Sequence, residues 1–203
     1  NCSIVWCDET MKGIVVDPGG DEKQLSMLIK ELGVDVVNLV LTHGHLDHVG
    51  GTEPLSALLG GTEIVGPHKA DNFWLQGLEG QSQMFGFPLT EAFEPHQWLN
   101  EGDIVTLGNQ TLNVIHTPGH TPGHVVLYSE DARLAFVGDV LFNGSVGRTD
   151  FPQGDFNTLI CSIKEKLWPL GNDVTFVPGH GPQSTFGHER KTNPFVADEM
   201  PLY

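Results

Sequence analysis

Thr42-His43-Gly44-His45-Leu46-Asp47-His48 places three imidazoles and one carboxylate within six consecutive positions, directly after a short apolar run typical of a buried strand. If the backbone stays extended, His43 and His45 point the same way, and a turn after them can direct Asp47 and His48 toward a second point nearby. A polar surface loop is the alternative, but four donors at this spacing fit it poorly. The stretch therefore predicts two adjacent metal positions suited to Zn(II) or a neighbouring first-row metal.

The composition favours a single α/β domain, which we place over residues 1–203. Hydrophobic residues make up 39% of the 203 positions, enough for a sizeable core. No apolar run approaches the ~20 residues that a membrane helix needs, and no signal peptide is visible at residues 1–20. The formal net charge of −16 repels phosphate backbones, so we expect no nucleic-acid partner. We likewise expect no membrane contact, and no obligate protein partner is evident.

The three cysteines, Cys2, Cys7 and Cys161, are odd in number and irregularly spaced, unlike a disulfide framework. Free thiols of this kind are typical of a reducing compartment. The sequence therefore predicts a cytoplasmic protein whose cysteines are neither metal ligands nor nucleophiles.

Hydrophobic periodicity predicts alternating strands and helices around the histidine stretch. Two strands lie near the start of the chain, and a helix with apolar residues at helical spacing follows and ends at Gly33. A short helix over 55–59 and a strand at 64–65 come after the histidines. Residues 67–100 mix aromatics with glycines and prolines, which predicts either a pocket wall or a cover over one edge of the core. Further on, Asp155 is placed to cap a helix.

Three more strand-to-loop junctions each carry a metal donor: His120, Asp139 and His180. A glycine precedes each donor and allows the backbone to turn tightly there. Because donors at the strand ends of a β scaffold can converge on one edge, we expect these junctions to meet the histidine stretch. His116 and His124 flank His120, and we expect them to support it or to lie at the surface.

The donors His43-x-His45-x-Asp47-His48, followed in order by His120, Asp139 and His180, resemble the motif set of the metallo-β-lactamase superfamily. The resemblance spans most of the chain and implies an α/β fold, a four-layer αββα sandwich with a two-metal site at one edge. The segments 116–124, 138–139 and 147–151 further resemble the glyoxalase II, or hydroxyacylglutathione hydrolase, branch. The short bacterial members without an appended helical domain are the most similar.

This resemblance implies a role for each donor. The first metal would be held by three histidines: His43, His45 and His120. The second would be held by a mixed set: Asp47, His48 and His180. Asp139 would bridge the two metals together with a water or hydroxide, and Asp47 would have a catalytic role besides its role as ligand. The cofactors would be two divalent ions, zinc first, with iron or manganese as alternatives. Hydroxide would attack a small-molecule thioester such as S-D-lactoylglutathione.

Glutathione recognition is the point at which this sequence departs from the long glyoxalase II enzymes. Those enzymes carry a C-terminal helical region with basic residues for the glutathione carboxylates, whereas about twenty residues follow His180 here. Arg148, in the loop after the Asp139 junction, is therefore the predicted substrate-binding cation. A structural salt bridge to Asp150 or Asp155 is an equally favoured alternative.

Two other functions remain open from sequence. A persulfide dioxygenase shares the fold and would hold a single Fe(II) through His43, His120 and Asp139, the facial triad that oxygen chemistry needs. His180 argues against it, because a complete second set of ligands would then be unused. A non-catalytic or RNA-processing member is the third alternative, and the acidic charge and the intact donor set weigh against it.

Overall fold

The computed structural model describes residues 1–198, and its first half builds a four-stranded sheet. The strands lie side by side in chain order: β1 (Ser3–Trp6), β2 (Lys12–Val16), β3 (Asp35–Val40) and β4 (Glu63–Val65). β1 and β2 form an antiparallel hairpin, whereas β2, β3 and β4 are parallel. Parallel neighbours need crossover connections, and these contain three helices: α1 (Glu22–Leu32), α2 (Leu46–Val49) and α3 (Thr52–Leu58).

A 3₁₀ turn (Lys69–Asp71) and two helices, α4 (Asn72–Gln76) and α5 (Leu78–Phe85), lead into the second half of the chain. As far as residue 198, this half holds eight strands: β5 (Ile104–Leu107), β6 (Gln110–His116), β7 (Val125–Ser129), β8 (Leu134–Gly138), β9 (Leu141–Phe142), β10 (Ser145–Val146), β11 (Thr175–Pro178) and β12 (Ser184–Thr185). Six of them form a sheet in the order β12-β11-β8-β7-β6-β5, and β9 pairs with β10. The parallel pair β8 and β11 is connected through α6 (Phe156–Ser162), and α7 (Phe186–Thr192) follows β12.

Three apolar cores divide the molecule into four layers. The central core lies between the sheets, where Ile14 and Val40 of the first cluster with Val114 and Leu127 of the second. A second core packs the outer face of the first sheet against α1 to α5. A third core packs the outer face of the second sheet against α6 and α7. These layers confirm the αββα sandwich that the sequence resemblance implied.

The end of β3 and the residue after it are apolar without alternation because both faces of the strand are covered there. Leu39 and Leu41 belong to the core on the helical side, whereas Val40 belongs to the core between the sheets. All three side chains are fully buried. A strand buried on both faces reads as a continuous apolar run, and the histidine stretch begins where this strand leaves the sheet.

The local signals read from the sequence are confirmed at the helix ends. α1 ends at Gly33, which has a left-handed φ of 70°, and the Asp155 carboxylate caps α6 by accepting from the backbone N of Thr158 at 2.7 Å. The two roles predicted for residues 67–100, a pocket wall and a cover over the core, each hold for part of the segment. Phe93 is buried in the helical-side core, while other aromatics of the segment line a cavity. Within residues 1–198, no helix is long and apolar enough to cross a membrane.

Candidate metal centre

The seven predicted donors lie together at one edge of the sandwich, where strands of both sheets end. The histidine stretch follows β3, and His120 lies in the loop between β6 and β7. Asp139 directly follows β8, and His180 follows β11. The four junctions therefore converge as expected, and they form two adjoining groups of donors.

The first half of the centre consists of His43, His45 and His120, whose ligand atoms all lie within 4.8 Å of one another. Nδ1 of His45 and Nε2 of His120 are 3.1 Å apart. All three rings are buried, and Trp74 and Phe151 pack edge-on against His45. This half is therefore a nitrogen-only site enclosed by aromatic side chains.

The second half consists of Asp47, His48 and His180, again with all ligand atoms within 4.8 Å. Nε2 of His180 lies 3.1 Å from Oδ2 of Asp47 and 3.3 Å from Nε2 of His48. His48 is buried, but the side chains of Asp47 and His180 are 44% and 54% exposed. This half therefore faces solvent and mixes oxygen with nitrogen donors, as the sequence spacing predicted.

The Asp139 carboxylate lies between the two halves. Its Oδ1 is 3.4 Å from Nε2 of His48, and its Oδ2 is 3.5 Å from Nε2 of His180. The same Oδ2 is 3.7 Å from Nε2 of His120 in the first half. Asp139 is therefore within reach of donors of both halves.

Asp17, which was not among the predicted site residues, orients two of the histidines from behind. Its carboxylate accepts hydrogen bonds from the backbone N and the hydroxyl of Thr42 at 2.8 and 2.6 Å. Because the hydroxyl proton is used there, Thr42 Oγ1 accepts from Nδ1 of His43 at 3.0 Å. Nδ1 of His48 donates to Asp17 at 2.9 Å. His43 therefore keeps a free lone pair on Nε2, the form that a metal ligand needs, and His48 likewise turns its Nε2 toward the other donors.

The main chain of Arg148 orients the third ring in the same way. Nδ1 of His120 donates to the Arg148 carbonyl at 2.6 Å, which leaves Nε2 as the free nitrogen. The Arg148 side chain points elsewhere: its guanidinium makes a two-pronged contact with Asp150 at 2.9 and 2.7 Å and lies 4.6 Å from the ring centre of Phe151. The structure thus contains the salt bridge that was the alternative to substrate binding for Arg148.

The histidines of the two halves differ in their protonation states, and those of the first half are neutral. Burial lowers the pKa of His43 well below its usual range and lowers that of His45 to about 3. Burial likewise lowers the pKa of His120. These three imidazoles are therefore neutral at physiological pH and present lone pairs rather than protons.

In the second half, neighbouring carboxylates reverse this effect. Burial acts to lower the pKa of His48, but the neighbouring carboxylates of Asp139 and Asp17 outweigh it and raise this pKa to about 10. The hydrogen bond to Asp47 raises the pKa of His180. Without a metal, protons hold together a cluster in which negative carboxylates would otherwise repel each other.

Asp71 connects the two loops that carry the first-half histidines, and the sequence analysis did not assign it. Its buried carboxylate accepts from the backbone N of Gly44 at 2.9 Å on one loop. On the other loop it accepts from the hydroxyl of Thr121 at 2.7 Å and the backbone N of Gly123 at 2.5 Å. Burial outweighs these three donors and raises the pKa of Asp71 to about 6. This side chain therefore fixes the distance between the His43–His45 segment and His120.

The two other histidines of the His120 loop have partners within the protein. His124 is buried and stacks on His43 with ring centres 4.7 Å apart, and its Nε2 accepts from the backbone N of Asp139 at 3.0 Å. Nε2 of His116 donates to the Pro122 carbonyl at 2.8 Å. His124 is therefore placed to support the centre, whereas His116 contacts the loop that carries His120.

Comparison with known proteins identifies relatives over nearly the full chain. Residues 1–180 match the family described as the metallo-beta-lactamase superfamily. Hydroxyacylglutathione hydrolase GloC of Haemophilus influenzae is 46% identical over 197 residues, covering 97% of this chain and 92% of the relative.

Two solved structures are similar at 35% sequence identity. The BLEG-1 B3 metallo-beta-lactamase superposes with a TM-score of 0.88, covering 97% of this chain and 93% of the other. TTHA1623 in a di-iron-bound form superposes with a TM-score of 0.87, covering 97% and 94%.

Proposed function

The chain belongs to the metallo-β-lactamase superfamily and is a metal-dependent hydrolase; we propose that it holds two divalent ions and cleaves thioesters of the acylglutathione type. The observation that carries this proposal is the pair of donor clusters that share Asp139. The similarity to the Haemophilus influenzae hydroxyacylglutathione hydrolase supports the substrate class.

The residues present fit two metal ions. Ligands around a tetrahedral ion at ~2.1 Å stand roughly 3.4 Å from one another, and the nearest donor pairs of this centre are 3.1 to 3.7 Å apart. Nε2 of His43 and Oδ1 of Asp139 are buried without a hydrogen-bond partner. Buried polar atoms are normally paired, so unpaired atoms at this point support a missing cation.

The proposed ligand sets are those that the resemblance implied. His43, His45 and His120 would hold one ion; Asp47, His48 and His180 would hold the other; Asp139 would contact both. When bound, such ions lower the pKa of water to supply hydroxide near neutral pH and stabilise negative charge on a carbonyl oxygen.

The reaction adds the oxygen of water to the acyl carbon, breaks the carbon–sulfur bond and releases a carboxylate and a thiol. A thiolate leaves readily, so no strong general acid is needed at the sulfur. Asp47 is placed on the solvent side and its hydrogen bond to His180 helps to keep its pKa below the usual value against the opposing effect of burial. We assign the Asp47 carboxylate to accept a proton from the entering water, which is the catalytic role expected from the sequence.

Zinc is the ion we propose, because imidazole and carboxylate donors at tetrahedral spacing suit it. Iron suits the same donors, and the TTHA1623 structure contains two iron ions. We also propose a reducing, cytoplasmic location, since the cysteines of the described chain are free thiols, with Cys2 and Cys161 exposed and Cys7 buried.

The deciding experiment measures metal content and turnover on the same preparation. We expect a metal-to-protein ratio near two after reconstitution with zinc, and release of free thiol from S-D-lactoylglutathione that stops on metal removal and returns on metal addition. Oxygen uptake with glutathione persulfide and hydrolysis of a β-lactam serve as parallel assays. A ratio of one iron with oxygen uptake and no thiol release would replace the proposal with the dioxygenase alternative.

A further inference from the structure

A cavity of about 500 Å³ opens beside the metal centre, between α4, α5 and the loop after β10. His45 and Asp47, one donor from each half of the centre, form part of its wall. Most of the remaining wall is aromatic or sulfur-containing: Phe73, Trp74, Met84, Phe85, Phe87 and Phe151. A group attached to a carbonyl at the metals can therefore extend directly into an apolar space.

The cavity offers little to a charged ligand. Within residues 1–198, its lining contains no lysine or arginine, and Asp47 is its one carboxylate. Gln81 also lines it, but both ends of its amide are used by the protein. Its Oε1 accepts from the backbone N of Leu46 at 3.0 Å, and its Nε2 donates to the Trp74 carbonyl at 2.9 Å. The amide of Gln81 is therefore already satisfied, whereas the buried indole N–H of Trp74 has no hydrogen-bond partner.

Part of the apolar wall is open to water. Met84, Phe85 and Phe87 are 78%, 56% and 53% exposed. Contiguous exposed apolar surface next to a reactive centre indicates a ligand-binding surface. Of the two parts of an acylglutathione, the glutathione part carries two carboxylates and an ammonium group, which would lose hydration in this cavity without gaining partners. The acyl part carries no such charges.

We propose that this cavity binds the acyl group of the substrate and that the enzyme prefers thioesters with a bulky apolar acyl group, aromatic or branched, over lactoyl thioesters. The inference rests on the proposed function and specifies the acyl class within it. A lactoyl group places one methyl and one hydroxyl beyond the carbonyl carbon, so it leaves most of the cavity unfilled. An aryl group in its place covers the exposed wall.

Gly80 makes the proposal testable without damage to the fold. It lies in α5 and lines the cavity, and a Cβ built there meets no atom within 4 Å. A larger residue can therefore extend into the open space without displacing the protein. Because glycine is a poor helix former, alanine or leucine at this position is expected to maintain or raise helix stability.

The experiment compares S-mandeloylglutathione with S-lactoylglutathione, which differ by a phenyl ring in place of a methyl group. On the zinc-loaded wild-type protein we expect kcat/KM to be at least about tenfold higher for the mandeloyl substrate, a discrimination typical of an apolar pocket. Gly80→Leu should lower the mandeloyl value about tenfold and change the lactoyl value less than about twofold, with Gly80→Ala in between. Ala57→Leu, on the exposed face of α3, is the matched control and should change neither value.

Two further arms separate the possible failures. The same two acyl groups on N-acetylcysteamine test which side of the thioester enters the cavity. If Gly80→Leu weakens both glutathione substrates equally and spares both N-acetylcysteamine substrates, the thiol part occupies the cavity and the proposal is wrong. Calorimetric binding of mandelate and lactate to the zinc-loaded protein gives a readout without turnover. Preferential mandelate binding that Gly80→Leu abolishes would support the cavity assignment even if no thioester were hydrolysed, and equal binding of the two acids would overturn it.

Discussion

In the first half of the metal centre, His43, His45 and His120 are at most 8% exposed, whereas in the second half the side chains of Asp47 and His180 are about half exposed. The two halves share similar donor atoms and a common carboxylate, yet they differ in solvent access and in charge. Burial keeps the first-half imidazoles neutral, while carboxylates hold protons on His48 and His180. The seven donors therefore form one buried site with neutral histidines and one partly exposed site whose histidines hold protons.

The supporting side chains repeat this difference. Asp17 accepts a hydrogen bond directly from His48, which belongs to the second half. It reaches the first half indirectly, through Thr42. The Asp71 carboxylate instead holds two loops together through Gly44 and Thr121. The first half is therefore stabilised by main-chain geometry, whereas the second is stabilised by charge. We expect an ion to stay in the first half longer than in the second, because exposed donors exchange with water more readily.

The largest effect is expected from removing the carboxylate that joins the halves. Asp139→Ala should reduce bound metal from about two ions toward one and lower kcat/KM by more than about 100-fold, the upper range for changes to groups that only support ligands. The reason is that Asp139 lies within 3.7 Å of donors in both halves. Metal analysis and thioester hydrolysis measure the two quantities on one preparation.

Circular dichroism is the control for this variant, because Asp139 is not part of an apolar core and the fold should survive. Retention of two ions with more than half of the activity would show that the two halves bind their metals independently and that Asp139 does not bridge them.

The comparison of the halves predicts unequal metal loss. His180→Ala should yield a protein with one tightly held ion. His45→Ala should lower the metal affinity of the buried half by at least about tenfold. In the wild type, dialysis against increasing chelator should remove one ion well before the other. Inductively coupled plasma analysis at each chelator concentration measures the steps. Simultaneous loss of both ions from the wild type would mean that exposure does not separate the halves.

Asp71 gives a smaller effect with a defined pH dependence. Its folded pKa of about 6 lies above the usual unfolded value near ~3.9, so the folded protein binds this proton more tightly. The stabilising effect of protonation is therefore fully present below pH ~4 and is lost as the pH rises through about 6. Asp71→Asn removes this titration, so the free energy of unfolding of the wild type relative to the variant should fall by about 2 kcal/mol between pH 4 and 7.

Urea unfolding of both metal-free proteins at several pH values measures this difference, and all other titrating groups cancel in it to a first approximation. Asp35→Asn is a suitable control, since Asp35 is an exposed carboxylate paired with Lys12. A difference between wild type and Asp71→Asn that is constant over this pH range would mean that Asp71 does not titrate there.

Much of this architecture was predictable because its signals are local. Strands buried on both faces, such as β3, appear as apolar runs, and metal donors that directly follow such runs identify the edge of the sandwich. The two-residue strands β9, β10 and β12 are too short to show periodicity. Helices α4 and α5 were missed because Gly77 and Gly80 interrupt the pattern, and the structure places both glycines against the cavity.

Asp17 and Asp71 were missed for a different physical reason. Each carboxylate acts on partners that are distant in the chain: Asp17 bonds Thr42 across 25 positions, and Asp71 bonds Gly123 across 52. Nothing in the neighbouring residues indicates such contacts. Asp17 did have one usable signal, since it directly follows the apolar end of β2, the same strand-to-loop position that identified Asp139. Asp71 lies in a 3₁₀ turn and offered none.

The smallest expected effect concerns Arg148, which belongs to both environments. Its carbonyl holds His120 in the buried half, while its guanidinium is exposed and paired with Asp150. Arg148→Ala keeps the carbonyl, so kcat should hardly change. If the guanidinium binds a glutathione carboxylate, Asp150 competes for it, and the two single variants should shift KM for S-D-lactoylglutathione in opposite directions. Arg148→Ala should raise KM about threefold, and Asp150→Ala should lower it, the pattern of a change in uniform binding.

N-acetylcysteamine thioesters, which lack the carboxylates, should respond to neither substitution. If both variants leave KM and stability unchanged, Arg148 and Asp150 form an ordinary surface salt bridge.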